Sequence, residues 1–266
     1  MITSSDSPRF RYFSRLKKKK ERLANDMFLV EGVHLVEEAL KAGSLDRAIY
    51  SSRIKNSQDG RRIIRAITNA GLPCEETADR LISDLSSVEA PQGLIASARP
   101  KGSDLGVLFE EPFPLIVIAC GIQDPGNLGT IIRTADAAGC SGVIVTHGSV
   151  DPYNEKVIRS TAGSIFHLNI IKNDDIIELI PSLKRRGINV IATDADSEKK
   201  YFEADLKGKT AVIVGNEGQG LPVEITRLCS ETISIPMKGQ AESLNAAVAA
   251  ALVMYESVRQ RTTDAG

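Results

Sequence analysis

Tryptophan is absent from this sequence, and five tyrosines and seven phenylalanines are spread over 266 residues, so stacking platforms for nucleobases are few. Cysteine is scarce as well. Cys74, Cys120, Cys140 and Cys229 never form a C-x-x-C pair, and His34, His147 and His167 show no ligand spacing with them; no metal is expected, and the thiols read as small buried groups in a reducing compartment. No apolar run approaches the roughly 20 residues that span a bilayer, and the first residues are basic and polar where a secretory signal would be apolar. A cytoplasmic protein with no membrane partner is the expectation. Net charge is nearly absent too, at −1, which argues against a uniformly basic nucleic-acid binder.

What is present is enough for a globular chain. Hydrophobic residues make up 42% and charged residues 25%, which supplies core for one large or two modest domains, with two preferred. The charge is uneven. Between Met1 and Arg22, eight basic residues (Arg9, Arg11, Arg15, Lys17, Lys18, Lys19, Lys20 and Arg22) face two acids, Asp6 and Glu21. Phosphate is the natural partner of such a run, although a solvated helix face would look the same.

Alternating short apolar runs and helical patterns over residues 1–100 describe a small α/β unit: MFLVEG reads as a strand, and Val33, Val36 and Leu40 recur at helical spacing before Gly43. Residues 101–114, rich in Gly, Pro and acids, read as an exposed linker. From 115 to 262 the strand-like runs LIVIAC, GVIVT, HLNII, NVIAT, AVIVG and TISI alternate with helices. Strands apolar throughout and separated by helices predict a parallel sheet covered on both faces.

Three runs at strand ends carry the chemistry. DPGNLGTIIRTADAAG breaks from an apolar strand into a turn holding Asn127 and leads into a helix with Arg133; Asn127 also fits a helix cap and Arg133 a surface ion pair. IVGNEGQGL has glycines at 215, 218 and 220 around Glu217 but matches neither the dinucleotide fingerprint nor a P-loop. Glu217 reads as a carboxylate near a helix start. IPMKGQAESLNAAVAAAL follows a strand ending at Ile235, with Ser243 placed to cap an alanine-rich helix. Three strand ends of a parallel sheet converge on one crevice, a place where ligands bind.

In order and spacing, these runs closely resemble the motifs of the SpoU (TrmH-like) branch of the SPOUT RNA methyltransferases. The resemblance implies transfer of a methyl group from S-adenosylmethionine to a ribose 2'-hydroxyl, a C-terminal domain tied in a deep trefoil knot, and a homodimer. It places Asn127, Arg133, Glu217, Ser243 and Asn245 at the catalytic site and Thr193, Gly215, Ile235 and Leu244 against the cofactor. The segment FSRLKKKKERLANDMFLVEGVHLVEEAL resembles the ribosomal-protein-like substrate-binding domain fused to many such enzymes. Structured RNA is therefore the implied substrate, with ribosomal RNA ahead of transfer RNA, and Arg9, Arg11, Tyr12, Phe13, Arg15 and Lys17 to Lys20 are the candidate contacts. A transfer-RNA enzyme, a non-catalytic RNA-binding relative, a base methylase and a nicotinamide oxidoreductase are the alternatives.

A guanidinium with a pKa above about 12 is ordinarily no base. Arg133 is therefore assigned to orienting ribose and phosphate, with base catalysis left open, while Asn127, Glu217, Ser243 and Asn245 are expected to hold it in place.

Overall fold

The computed structural model describes residues 1–102, 104–216 and 218–263, which divide into two compact units. The first unit comprises Met1–Lys101 together with Tyr153–His167. Helices α1 (Pro8–Leu16), α2 (Lys19–Asn25), α3 (Val33–Lys41), α4 (Gln58–Asn69) and α5 (Asp79–Leu85) surround strands β1 (Phe28–Glu31), β2 (Leu45–Tyr50), β3 (Cys74–Glu76) and β4 (Leu94–Ala98). Sheet order is β1-β4-β2-β3, with β4 antiparallel to both neighbours and β2 parallel to β3. Helix α1 has Phe10, Phe13 and Leu16 on one face at a spacing of three, and all three are buried with Leu29, Ile49, Leu81 and Ile95.

The second unit holds residues 102–152 and 168–266. It runs β5 (Leu115–Ala119), α6 (Pro125–Ala137), β6 (Gly142–Thr146), β7 (Asn169–Asn173), α8 (Ile176–Arg185), β8 (Asn189–Thr193), β9 (Thr210–Val214), α9 (Val223–Leu228), β10 (Glu231–Ile233) and α10 (Ala246–Thr263), while α7 (Glu155–Thr161) goes with the first unit. The order β10-β8-β9-β5-β6-β7 is parallel throughout. Strands β5, β6 and β9 are fully buried along their length, as expected for strands covered on both faces. Each such Ile, Leu or Val contributes roughly 1.5–3 kcal/mol through burial.

Residues 101–114 are not simply an exposed linker. Leu105–Phe109 form a 3-10 turn, and Leu108 is completely buried in the core of the second unit. Gly142 makes room for it, since a Cβ there would run into the Leu108 side chain and the Asn169 carbonyl. The Gly, Pro and acidic residues around VLF masked a short apolar anchor. Cys120, Cys140 and Cys229 are buried and Cys74 half-buried, all as free thiols. Burial raises each thiol pKa, to about 11 for Cys74 and Cys229 and about 12 for Cys140, so the reactive thiolate is suppressed. Among the described residues, no helix is long and apolar enough to cross a membrane.

Candidate functional site

Because the sheet is parallel, the loops following its strands leave from one edge. Thr193 ends β8, and its register partner Ile233 ends β10 two residues before Ile235. Ala192 pairs with Ile213 of β9, whose last residue, Val214, precedes Gly215 and pairs with Ala119 at the end of β5. Thr193, Gly215 and Ile235 therefore lie at the ends of three adjacent strands, β8, β9 and β10, and α6 departs from the fourth. Thr193 Oγ1 donates to the Ile213 carbonyl at 3.1 Å. Gly215 is buried, while Ile235 and Leu244 are half-buried.

Helix α6 begins earlier than the sequence suggests. Pro125 occupies its first turn and Asp124 is the N-cap, its Oδ1 accepting the Asn127 N–H at 2.8 Å. Asn127 is thus within the first helical turn, not in a preceding loop and not the cap. At the other motif, Ser243 does not cap α10. Asn245 does, with its Oδ1 accepting the N–H groups of Ala247 at 2.9 Å and Val248 at 3.3 Å, a cap of about 1 kcal/mol. The remaining half of that amide reaches across, Asn245 Nδ2 donating to Asn127 Oδ1 at 2.8 Å. The first and third motifs, 118 residues apart, are joined side chain to side chain.

The second motif is tied to the loop that leads into the first. Asn216 Nδ2 donates to the Gly121 carbonyl at 3.0 Å, and its Oδ1 accepts from Gly218 N at 2.9 Å and Gln219 N at 3.1 Å. The loop closes as Gly220 N donates to Asn216 O at 2.9 Å, with Gly220 at φ +66°. A Cβ on Gly215 would lie 2.7 Å from the Gly220 carbonyl carbon and 2.8 Å from Leu221 Cγ. Glycine is needed there for packing alone. Asn216 escaped the sequence reading, although Asn two residues ahead of Gly in a loop is the pattern of an Asx-turn.

Arg133 is exposed on α6 and makes no hydrogen bond or ion pair among the described residues. Its guanidinium is therefore not held by Asn127, Ser243 or Asn245. Ser243 is exposed, and Glu217 lies outside the described residues. No group of three His, Cys, Asp or Glu side chains is placed to hold a metal ion among the described residues.

On the first unit, the aromatic candidates for RNA contact are corrected. Phe13 is 1% exposed and belongs to the core. Tyr12 is half-buried, its hydroxyl donating to Asp46 at 3.1 Å beneath the Arg47 guanidinium at 4.6 Å, and burial raises its pKa. Arg9 pairs with Glu75, and Arg11 with Asp6 at 2.7 Å. Lys17 Nζ donates to the Leu85 carbonyl at 3.0 Å, at the C-terminal end of α5, and buried Arg22 donates to the Leu16 and Lys17 carbonyls. Arg15, Lys18, Lys19 and Lys20 are exposed with no such partner among the described residues.

Comparison with known proteins places the chain in a family. Residues 114–255 match the SpoU rRNA Methylase family and residues 7–96 an MRM3-like substrate binding domain. The Bacillus subtilis protein named 23S rRNA (guanosine(2553)-2'-O)-methyltransferase RlmP is 34% identical over 254 residues, 96% of this chain and 97% of that one. The SpoU methyltransferase AviRb from Streptomyces viridochromogenes, solved in complex with the cofactor AdoMet, superposes with a TM-score of 0.87 at 32% identity over 97% of this chain and 99% of that one. An AdoMet-bound rRNA methyltransferase from Sinorhizobium meliloti gives 0.85 at 31% identity, with 97% of each chain covered. The chain belongs to the SpoU rRNA methylase family.

Proposed function

We propose that this protein transfers the methyl group of S-adenosylmethionine to a ribose 2'-hydroxyl of 23S ribosomal RNA in the cytoplasm. The observation that carries the reading is the Asn245 to Asn127 hydrogen bond of 2.8 Å at the edge where β5, β8, β9 and β10 end. The donor set suits the cofactor: half-buried Ile235 and Leu244 offer apolar faces to a purine, and the backbone around Thr193 and Gly215 offers amide and carbonyl groups. When bound, the cofactor supplies an electrophilic methyl on a positively charged sulfur.

The chain's own residues then have to hold the ribose oxygen in line, a demand of position that accounts for several kcal/mol of barrier. Arg133, exposed and unpaired among the described residues, is available to bind the phosphate beside that ribose and to stabilise developing oxyanion charge. The Asn245 to Asn127 hydrogen bond ties the starts of α10 and α6 together, and Ser243 and Glu217 complete the polar set implied by the family motifs. The basic run on α1 and α2, with Arg9, Arg11, Arg15 and Lys17 to Lys20, is the proposed RNA surface of the first unit, led by Arg15 and Lys18 to Lys20, which are unpaired among the described residues. The knotted C-terminal topology of the family is part of this reading.

A homodimer completes it. Val248, Leu252 and Tyr255 recur on one face of α10 and are 36–50% exposed, lining a shallow groove with Tyr201 and Arg259. Three large apolar side chains in one exposed stripe suit a second copy of the same helix.

The test is a split between binding and turnover. Arg133→Ala should leave the cofactor dissociation constant within about twofold and lower methyl transfer at least about 100-fold, since the guanidinium is assigned to the ribose side. Calorimetry with S-adenosylmethionine and transfer of a tritiated methyl group to 23S transcripts read the two quantities. Unchanged turnover would remove Arg133 from the mechanism.

A further inference from the structure

We infer that Asn216 is a positioning residue that locks the loop after β9 to the loop after β5, fixing the spacing between the cofactor rim and the helix that bears Asn127 and Arg133. The inference rests on the site reading above. Both ends of the Asn216 amide are used: Oδ1 gathers the Gly218 and Gln219 N–H groups at 2.9 and 3.1 Å, and Nδ2 donates to the Gly121 carbonyl at 3.0 Å. The receiving loop is itself braced. Gly121 N donates to Thr146 Oγ1 at 3.3 Å, Ile122 N to Ser149 Oγ at 3.1 Å, Ser149 Oγ to the Ala119 carbonyl at 3.2 Å, and Val150 N to the Ile122 carbonyl at 2.8 Å. One side of the 120–122 segment is thus pinned to the end of β6, and Asn216 pins the other.

Strand pairing does not need this bond. Strands β5 and β9 are already in register from Leu115 opposite Thr210 to Ala119 opposite Val214, and Cys120 N extends the ladder to the Val214 carbonyl at 2.9 Å. The amide acts beyond the ladder, on the two loops alone. Only a side chain with a donor and an acceptor at this reach fills the role: aspartate accepts but cannot donate, and serine accepts but falls short of Gly121.

Asn216→Asp and Asn216→Ser in the full-length chain separate the two halves of the amide. Both keep an acceptor for the loop and lose the link to Gly121, and the serine variant does so without added charge. For each, S-adenosylmethionine affinity and the KM for a 23S transcript should stay within about threefold of wild type while kcat falls roughly 10- to 100-fold, because the reacting groups lose their spacing. Asn216→Ala, which also releases the loop, should in addition weaken cofactor binding about tenfold or more. Melting temperatures measured alongside separate these effects from unfolding. If the folded Asp and Ser variants both turn over within twofold of wild type, the positioning role is overturned. Failure of the wild-type chain to bind the cofactor or to methylate ribose would instead overturn the site reading itself.

Discussion

Asparagine side chains at 127, 216 and 245 do at residue scale what the backbone does within elements: they pair a donor with an acceptor between helix starts and between loops that no ladder joins. Asn245 caps α10 with its oxygen and reaches Asn127 with its nitrogen, a division of labour unavailable to Asp or Ser. Asn127, Arg133 and Asn245 were legible through the resemblance of their motifs to those of the SpoU family, whereas spacing alone left Asn127 open to a helix cap and Arg133 to a surface ion pair. The cap was harder, since Ser243 and Asn245 are both good cap formers two residues apart. The structure uses the one adjoining the alanine run. Phe13 was legible in principle, as Phe10, Phe13 and Leu16 repeat every three residues, but the surrounding arginines drew it to the surface reading. Asn216 was hidden by its glycine neighbours.

At the scale of elements, the basic run divides by what each cation already holds. Lys17 and Arg22 satisfy carbonyls near helix ends and Arg9 and Arg11 sit in ion pairs, whereas Lys18, Lys19 and Lys20 are exposed and unpaired among the described residues. Replacing those three with alanine should lower the slope of log affinity for 23S transcripts against log salt by about 2, because fewer counterions are released. Filter binding between 50 and 300 mM salt, about the usual range for such titrations, reads the slope, and an unaltered value would assign the run to solvated surface. The parallel strands of the second unit were plain from their unbroken apolar runs. The mixed order β1-β4-β2-β3 was not, because β1 pairs with a strand more than 60 residues away and local pattern carries no record of that partner. The buried Leu108 was missed for a similar reason: a single apolar side chain with a distant core leaves no period.

For the whole molecule, the proposed pairing of α10 faces sets the assembly. Sedimentation equilibrium should return twice the 28.7 kDa chain mass, and Leu252→Asp with Tyr255→Asp should return the single mass, since charge in an apolar interface is costly. A monomeric wild type would remove the dimer from the account. Sheet order is what brings motifs separated by up to 118 residues to one edge, and no single motif could have disclosed it. Order and spacing pointed there only through the rule that parallel strands open toward the same side.

The central claim is that this edge methylates a ribose in ribosomal RNA. Its most direct test is an alkaline-cleavage map of 2'-O-methylation across 23S rRNA from cells with and without the protein. The account predicts a protected linkage that vanishes with the gene, returns with the wild-type chain and stays absent with Arg133→Ala. An identical map in both strains, or a lost modification lying on a base, would contradict it.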